Sequence, residues 1–243
     1  MKQEKKSPIT LKPLRYAGQS LDEKIDQLLN DKMLPYIISG MFLILMTGME
    51  WLRYYTTSPP TPKTTTFIAA CYFAYAFYKI KKIRYEVKSL RIGRDGEKEV
   101  GELLDELREK GYKVLHDIPG ENFNIDHVII SKKGIYTIET KTYSVPLKGK
   151  AEMWYDGEKI TIPNRIKSDA PIIQAAAASK WLCNTLQTTT GKEFTIKPVV
   201  LFPGWFLNHT DNAKKAKVWV LHPKAVHPQN LWVTSGSGKS PSV

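Results

Sequence analysis

Cysteine is nearly absent from this chain. It has two, Cys71 in an apolar run and Cys183 in a predicted helix. Without a spaced set, neither a disulfide framework nor a zinc site is suggested, and a reducing compartment fits. Acids are also scarce relative to bases, with 24 Asp and Glu against 36 Lys and Arg for a formal charge of +12. The surplus is uneven. Residues 1–84 hold 13 Lys and Arg against 6 acids, a net of +7, and residues 85–243 hold 23 against 18, a net of +5. More than half of the excess therefore lies in the first third. With 42% hydrophobic and 25% charged residues in 243, the chain is neither disordered nor built mostly of membrane spans. It has room for one ordinary domain plus something extra. An intact phosphate-binding loop is missing as well: the Gly-Lys-Ser of the tail TSGSGKSPSV lacks the first glycine and has no helix after it.

Charge of either sign is missing from two stretches, 33–49 (MLPYIISGMFLILMTGM) and 64–78 (TTTFIAACYFAYAFY). The first has about the minimum length for crossing a bilayer core as a helix, and Trp51, Tyr54 and Tyr55 follow it as an interfacial aromatic belt would. TTSPPTPK then breaks the helix. The second stretch is shorter and needs snorkelling or local thinning to span. Both outer flanks are rich in Lys and Arg, the second ending in KIKKIR, whereas the connecting loop holds only Arg53 and Lys63. The positive-inside rule then places both termini in the cytoplasm of a multi-pass protein of the inner membrane. Two buried helices of a soluble domain are the rival reading. Glu50 is expected at the interface near Arg53. Ahead of the hairpin, SLDEKIDQLLNDK reads as an amphipathic helix with a Ser20–Glu23 capping box and an apolar face of Leu21, Ile25, Leu28 and Leu29.

The expected organisation is a cytoplasmic segment over 1–32, a transmembrane hairpin over 33–84, one α/β domain over 85–234 and a disordered tail over 235–243. Within the domain, GRDGEKEVGELLDELREKG is a helix with Val100, Leu103, Leu104 and Leu107 at core spacing and Gly111 as its stop. YKVLHDI, FNIDHVIIS and GIYTIETK are strands, and AEMWYDGEKITIP is a hairpin turning at Asp156-Gly157. SDAPIIQAAAASKWLCNTL is a second helix, and FTIKPVVLF and AKVWVLH complete the strands. The order α-β-β-β-(β-β)-α-β-β implies a mixed sheet flanked by helices.

GIYTIETK poses the functional question, because this apolar strand ends in Glu139 and Lys141. Alternation puts both on one face. The preceding strand carries Asp126. A hairpin loop of Lys132-Lys133 sets Asp126 opposite Glu139, and a loop of Lys133-Gly134 sets it opposite Lys141. Either gathers the three within about 5 Å of a neighbour, and His127 points the other way. Two carboxylates and a lysine suit metal-dependent phosphodiester cleavage. A hard dication such as Mg²⁺ takes oxygen ligands, acidifies a bound water, and leaves the lysine to stabilise the transition state. A salt-bridged cluster on a half-exposed sheet accounts for the same triplet.

GRDGEKEV leading into a helix, then NIDHVII, then GIYTIETK, resembles the nuclease-related domain (NERD) family of the PD-(D/E)XK nuclease superfamily, over roughly residues 91–205. The resemblance implies a restriction-endonuclease-like α/β fold, Mg²⁺ or Mn²⁺ as the cofactor and DNA as the substrate. It implies a catalytic set of Asp126, Glu139 and Lys141 with Glu97 as an added acid. The metal would be held by Asp126, Glu139 and the backbone carbonyl of Thr140. APIIQ resembles the family's Pro-x-x-Gln helix start and would bring Gln174 near the site. On a helical wheel Glu97 lies about 70° from the centre of the apolar stripe, with Glu99 only slightly further off and Glu102 and Asp105 pointing away. Gly93 and Gly96 would let the helix start approach the sheet closely. Trp205 to His209 fall where the resemblance fades.

These features predict a membrane-anchored DNase acting on the cytoplasmic side, with the lipid bilayer, and membrane proteins meeting the hairpin, as further partners and no organic cofactor. The alternative is a non-catalytic, membrane-tethered nucleic-acid-binding or scaffold module using Trp154, Tyr155, Lys148 and Lys150 for charge and stacking.

Overall fold

A computed structural model of the chain describes residues 14–56, 61–132, 134–146, 149–163 and 166–226. Two compact units emerge, Ser20–Ile92 and the domain from Gly93 onward, to which the segment ahead of Ser20 also belongs. The expected tail at 235–243 and Lys148 lie outside the described residues.

In the first unit α1 (Gln19–Gln27) passes through a π-helical stretch, Leu28–Met33, into α2 (Leu34–Tyr54), with Pro35 in its first turn, where a missing N–H is harmless. The apolar face of α1 is covered by protein: Ile25 and Leu28 bury against Ile83 and Val87, with Leu29, Met33, Tyr36 and Leu90 around them. The Ser39 and Tyr72 hydroxyls share a hydrogen bond, and the Trp51 indole N–H donates to Thr66 Oγ1 at 3.2 Å. Glu50 meets Arg53 as expected, at 2.9 Å. By contrast Ile38, Phe42, Leu45, Leu52, Phe67 and Phe77 are each more than half exposed. By length and composition the helix Gln19–Tyr54 is long and apolar enough to cross a membrane, and among the described residues no other helix is.

The helix expected to start near Gly93 begins much earlier: α3 runs from Pro62 to Asp105 without a break. Gly93, Gly96 and Gly101 each weaken the helix by about 1 kcal/mol, but no proline interrupts the stretch after its first residue, so nothing stops the hydrogen-bonding. The stop at Gly111 holds, with φ +83 after a short 3₁₀ turn, Arg108–Lys110.

Five strands form the main sheet, in the order β1-β2-β3-β7-β9. β1 (Lys113–Pro119), β2 (Asn124–Ser131) and β3 (Gly134–Thr140) are an antiparallel meander. β7 (Ile196–Leu201) and β9 (Trp219–Leu221) then add in parallel. One face buries Ile129, Tyr136, Ile138 and Val199 against Val100 and Leu104 of α3 and Leu107 just past its end. The other packs Val128, Ile130 and Ile135 under Ala178 and Leu182 of α4 (Ala170–Thr190).

A second sheet, β6-β5-β4-β8, corrects the expectation of a single one. Its strands are β4 (Glu152–Tyr155), β5 (Ile160–Ile162), β6 (Ile166–Ser168) and β8 (Phe206–His209). β6 and β8 are too short to show a period in sequence. The hairpin at Asp156-Gly157 forms with a four-residue loop, capped by Asp156 Oδ1 accepting from the backbone N–H groups of Glu158 and Lys159 at 2.9 and 2.7 Å. Met153, Tyr155, Ile160 and Ile162 face inward onto Phe202 and Trp205. Tyr155 is therefore buried and unable to stack on a ligand, which removes it from the nucleic-acid set proposed with Trp154.

Candidate active site

The β2–β3 ladder pairs Ser131 with Gly134 and His127 with Ile138, so the loop is the two residues 132–133. Continuing that register sets Asp126 opposite Glu139. Both lie just past the last pair of that ladder, while the His127 ring lies against α3 near Gly101. Asp126 is tied to β3 directly, its Oδ2 accepting from the Thr140 N–H at 2.7 Å. Lys141 Nζ lies 2.7 Å from Glu139 Oε1 and donates to Gln174 Oε1 at 2.8 Å. Gln174 is exposed on the first turns of α4, so its partner is the lysine and not a core backbone group.

Glu97 reaches this cluster from α3 and is buried, whereas Glu99 and Glu102 are exposed. Gly96 makes the approach feasible, because a Cβ there would overlap Thr142 Oγ1 just past the end of β3.

Three acids with one ammonium among them are electrostatically frustrated. Burial, then the nearby charges of Asp117 and Glu139, push the Glu97 carboxyl up to about 8. Burial and then repulsion from Glu139 and Glu97 raise Asp126 well above the carboxylate range, against the pull of the Thr140 N–H. Burial also raises Glu139, although Lys141 opposes it. For Lys141, burial pulls downward, but the Glu139 charge and hydrogen bond outweigh it and the ammonium is held above its usual value. A divalent cation would relieve this crowding, and the donors are hard oxygens suited to Mg²⁺ or Mn²⁺. No three His, Cys, Asp or Glu side chains among the described residues could hold a metal by themselves. An ion here would therefore complete its shell with the Thr140 carbonyl, water and substrate phosphate.

Two groups near the site escape sequence reasoning. Asp117 is buried at φ +49, an unusual conformation for a residue other than glycine. It is held by Arg15 Nε at 2.7 Å and by Asn124 Nδ2 at 3.0 Å. Arg15 belongs to the segment ahead of α1, 102 residues away, and no local signal could find it. On the α3 face, His116 and His127 share a hydrogen bond between their Nδ1 atoms at 2.8 Å, and His116 Nε2 meets Asp105 Oδ1 at 3.0 Å. Burial, then the neighbouring His116, pushes His127 down to about 3.

Among known proteins, 72 residues of the chain are 38% identical to the uncharacterized protein pXO1-01 of Bacillus anthracis. That match covers 27% of this chain and 34% of the relative, so it spans about a third of the relative's length. Among solved structures, protein VC1899 from Vibrio cholerae aligns over 90% of this chain and 57% of its own, at 10% identity and a TM-score of 0.29. Residues 92–203, which carry Glu97, Asp126, Glu139, Lys141 and Gln174, match the family model of the nuclease-related domain, and this part of the chain belongs to that family.

Proposed function

We propose that the protein is a membrane-anchored nuclease that hydrolyses DNA phosphodiester bonds with Mg²⁺ or Mn²⁺ on the cytoplasmic side of the membrane. The observation that carries the reading is the gathering of Asp126, Glu139 and Lys141 at the end of two paired strands, Asp126 on the Thr140 N–H, Lys141 on Glu139 and Gln174 on the lysine. Asp126, Glu139 and the Thr140 carbonyl are the groups that would hold the ion. When bound, such an ion acidifies a water and neutralises charge on the phosphate. Lys141, oriented by Glu139 and Gln174, donates toward the attacked phosphate oxygens. Glu97, raised to about 8, holds a proton at neutral pH until the cluster gains positive charge.

The chain path supports a two-pass anchor. The segment ahead of Ser20 and the domain from Gly93 pack as one unit, so a chain that leaves at Ser20 and returns at Gly93 crosses a bilayer an even number of times. With one crossing through Gln19–Tyr54, the return would run through the first half of α3, whose Phe67, Phe73 and Phe77 are exposed. The Lys- and Arg-rich flanks favour a cytoplasmic nuclease unit. DNA, lipid and membrane proteins beside the hairpin are the partners this reading implies, without an organic cofactor.

The test uses the full chain in detergent with circular and linear DNA. Mg²⁺-dependent cleavage that is lost in Asp126→Ala and Lys141→Ala supports the proposal. Equal cleavage by those variants removes it, and salt-sensitive binding without cleavage under any metal condition favours a non-catalytic DNA-binding module.

A further inference from the structure

The outer face of the second sheet has no role in the chemistry above, yet it is composed like a binding surface. Across the ladder Asn208, Trp154, Thr161 and Lys167 stand in one row, through the pairs Trp154–Asn208, Trp154–Thr161 and Thr161–Lys167. Phe206, opposite Glu152, extends the same face beside them. Trp154 is 48% and Phe206 56% exposed, while their strand neighbours Met153, Tyr155 and Trp205 are buried. Two large aromatics therefore face solvent from a sheet whose core already has ample apolar residues to bury.

Amide, hydroxyl and ammonium groups flank the indole. They suit base edges and phosphates, and the rings offer flat faces to bases. The charge agrees: segments 150–168 and 205–217 carry seven Lys and Arg against four Asp and Glu. Glu152, the acid on this face, has Lys150 at 3.9 Å.

The platform is also close to the reaction centre along the chain. β7 pairs Leu201 with Thr140, and Phe206 follows five residues later, a reach of at most about 18 Å. The Trp205 indole N–H donates to the Tyr143 carbonyl at 3.0 Å, which fastens this connection to the chain leaving Lys141.

We infer that this face binds a single-stranded segment of the nucleic-acid substrate by stacking on Trp154 and Phe206, and so feeds unpaired strand to the Asp126–Glu139–Lys141 site. The inference rests on the nuclease reading for its direction, but binding is measurable apart from cleavage. The probe is a fluorescently labelled oligonucleotide, single-stranded or as its duplex, titrated with the full chain in detergent and EDTA, so that no metal-dependent cleavage intervenes. The wild type is expected to bind the single strand more tightly than the duplex. Trp154→Ala and Phe206→Ala are each expected to weaken single-strand binding about tenfold and leave the duplex nearly unchanged. Lys167→Ala, which removes only a charge, should weaken both and flatten the salt dependence. Unaltered single-strand affinity in Trp154→Ala and Phe206→Ala overturns the inference, as does an equal loss for both probes. Trp154-dependent strand binding by a protein that never cleaves would leave the platform standing and remove the nuclease reading. Asp126-dependent cleavage with no Trp154 effect would do the reverse.

Discussion

Replacing Glu97 with Gln keeps the shape of a buried side chain and removes its charge. Its carboxyl ordinarily titrates near 4.5 and is pushed up to about 8 in the fold. Between those values the unfolded chain has lost the proton and the folded one keeps it, so the native state binds more protons there. Stability from this group is therefore complete below about 4.5 and is lost as pH rises through 8. At about 1.36 kcal/mol per unit, the wild type is at a disadvantage of under about 1 kcal/mol at pH 5, about 3 at pH 7 and about 5 by pH 9. Gln has no such penalty. For a domain of this size each kcal/mol moves the melting point by about 2–4 °C, so Glu97→Gln should melt about 6–12 °C higher at pH 7 and close to wild type at pH 5. The assay is thermal unfolding of the full chain in detergent with EDTA, from pH 5 to 9. Superimposed melting curves, or a gap independent of pH, would refute the crowding of acids as the source of the shift.

Other perturbations test the supports of the site. His127 acts in the opposite sense to the buried acids: its folded value of about 3 lies below the ordinary 6.5, so as pH drops from about 6.5 toward 4 the wild type should lose stability relative to His127→Gln, read as the gap between their melting points against pH. Gly96→Ala places a methyl into Thr142 and should lower both the melting point and the cleavage rate, the latter at least about tenfold if helix and strand end separate by an ångström. Arg15→Ala leaves Asp117 buried without its cation and should destabilise the domain by about 3 kcal/mol in denaturant titration. For the same reason a fragment starting at residue 85 should be markedly less stable than the full chain.

What sequence could reveal here depended on range. That Asp126 meets the Glu139–Lys141 end of β3 was legible, because a two-residue loop and a period of two leave little freedom over so short a hairpin, but which of the two it opposes needed the ladder itself. The helical wheel set Glu97 apart from Glu102 but hardly from Glu99, and burial of the one with exposure of the other decides between them. Gln174 was visible as a polar residue near a helix start, although only coordinates give it Lys141 as a partner. Asp117 and Arg15 were hidden, because a strained backbone and a contact across 102 residues leave no local pattern. The unbroken α3 defeated a boundary drawn at Gly93, since glycines weaken a helix without ending it. The second sheet was missed because three- and four-residue strands take their identity from neighbours, and the same pairing turned Tyr155 inward and left Trp154 outside.

The central claim is that Asp126 and Glu139 form one divalent-cation site whose protons leave when the ion arrives. Mn²⁺ titration of the full chain, followed by electron paramagnetic resonance together with the protons released into weak buffer at pH 7, tests this most directly. The account predicts one bound Mn²⁺ per chain with proton release, and loss of both signals in Asp126→Asn. Undiminished Mn²⁺ binding in that variant, or binding by the wild type without proton release, would contradict it.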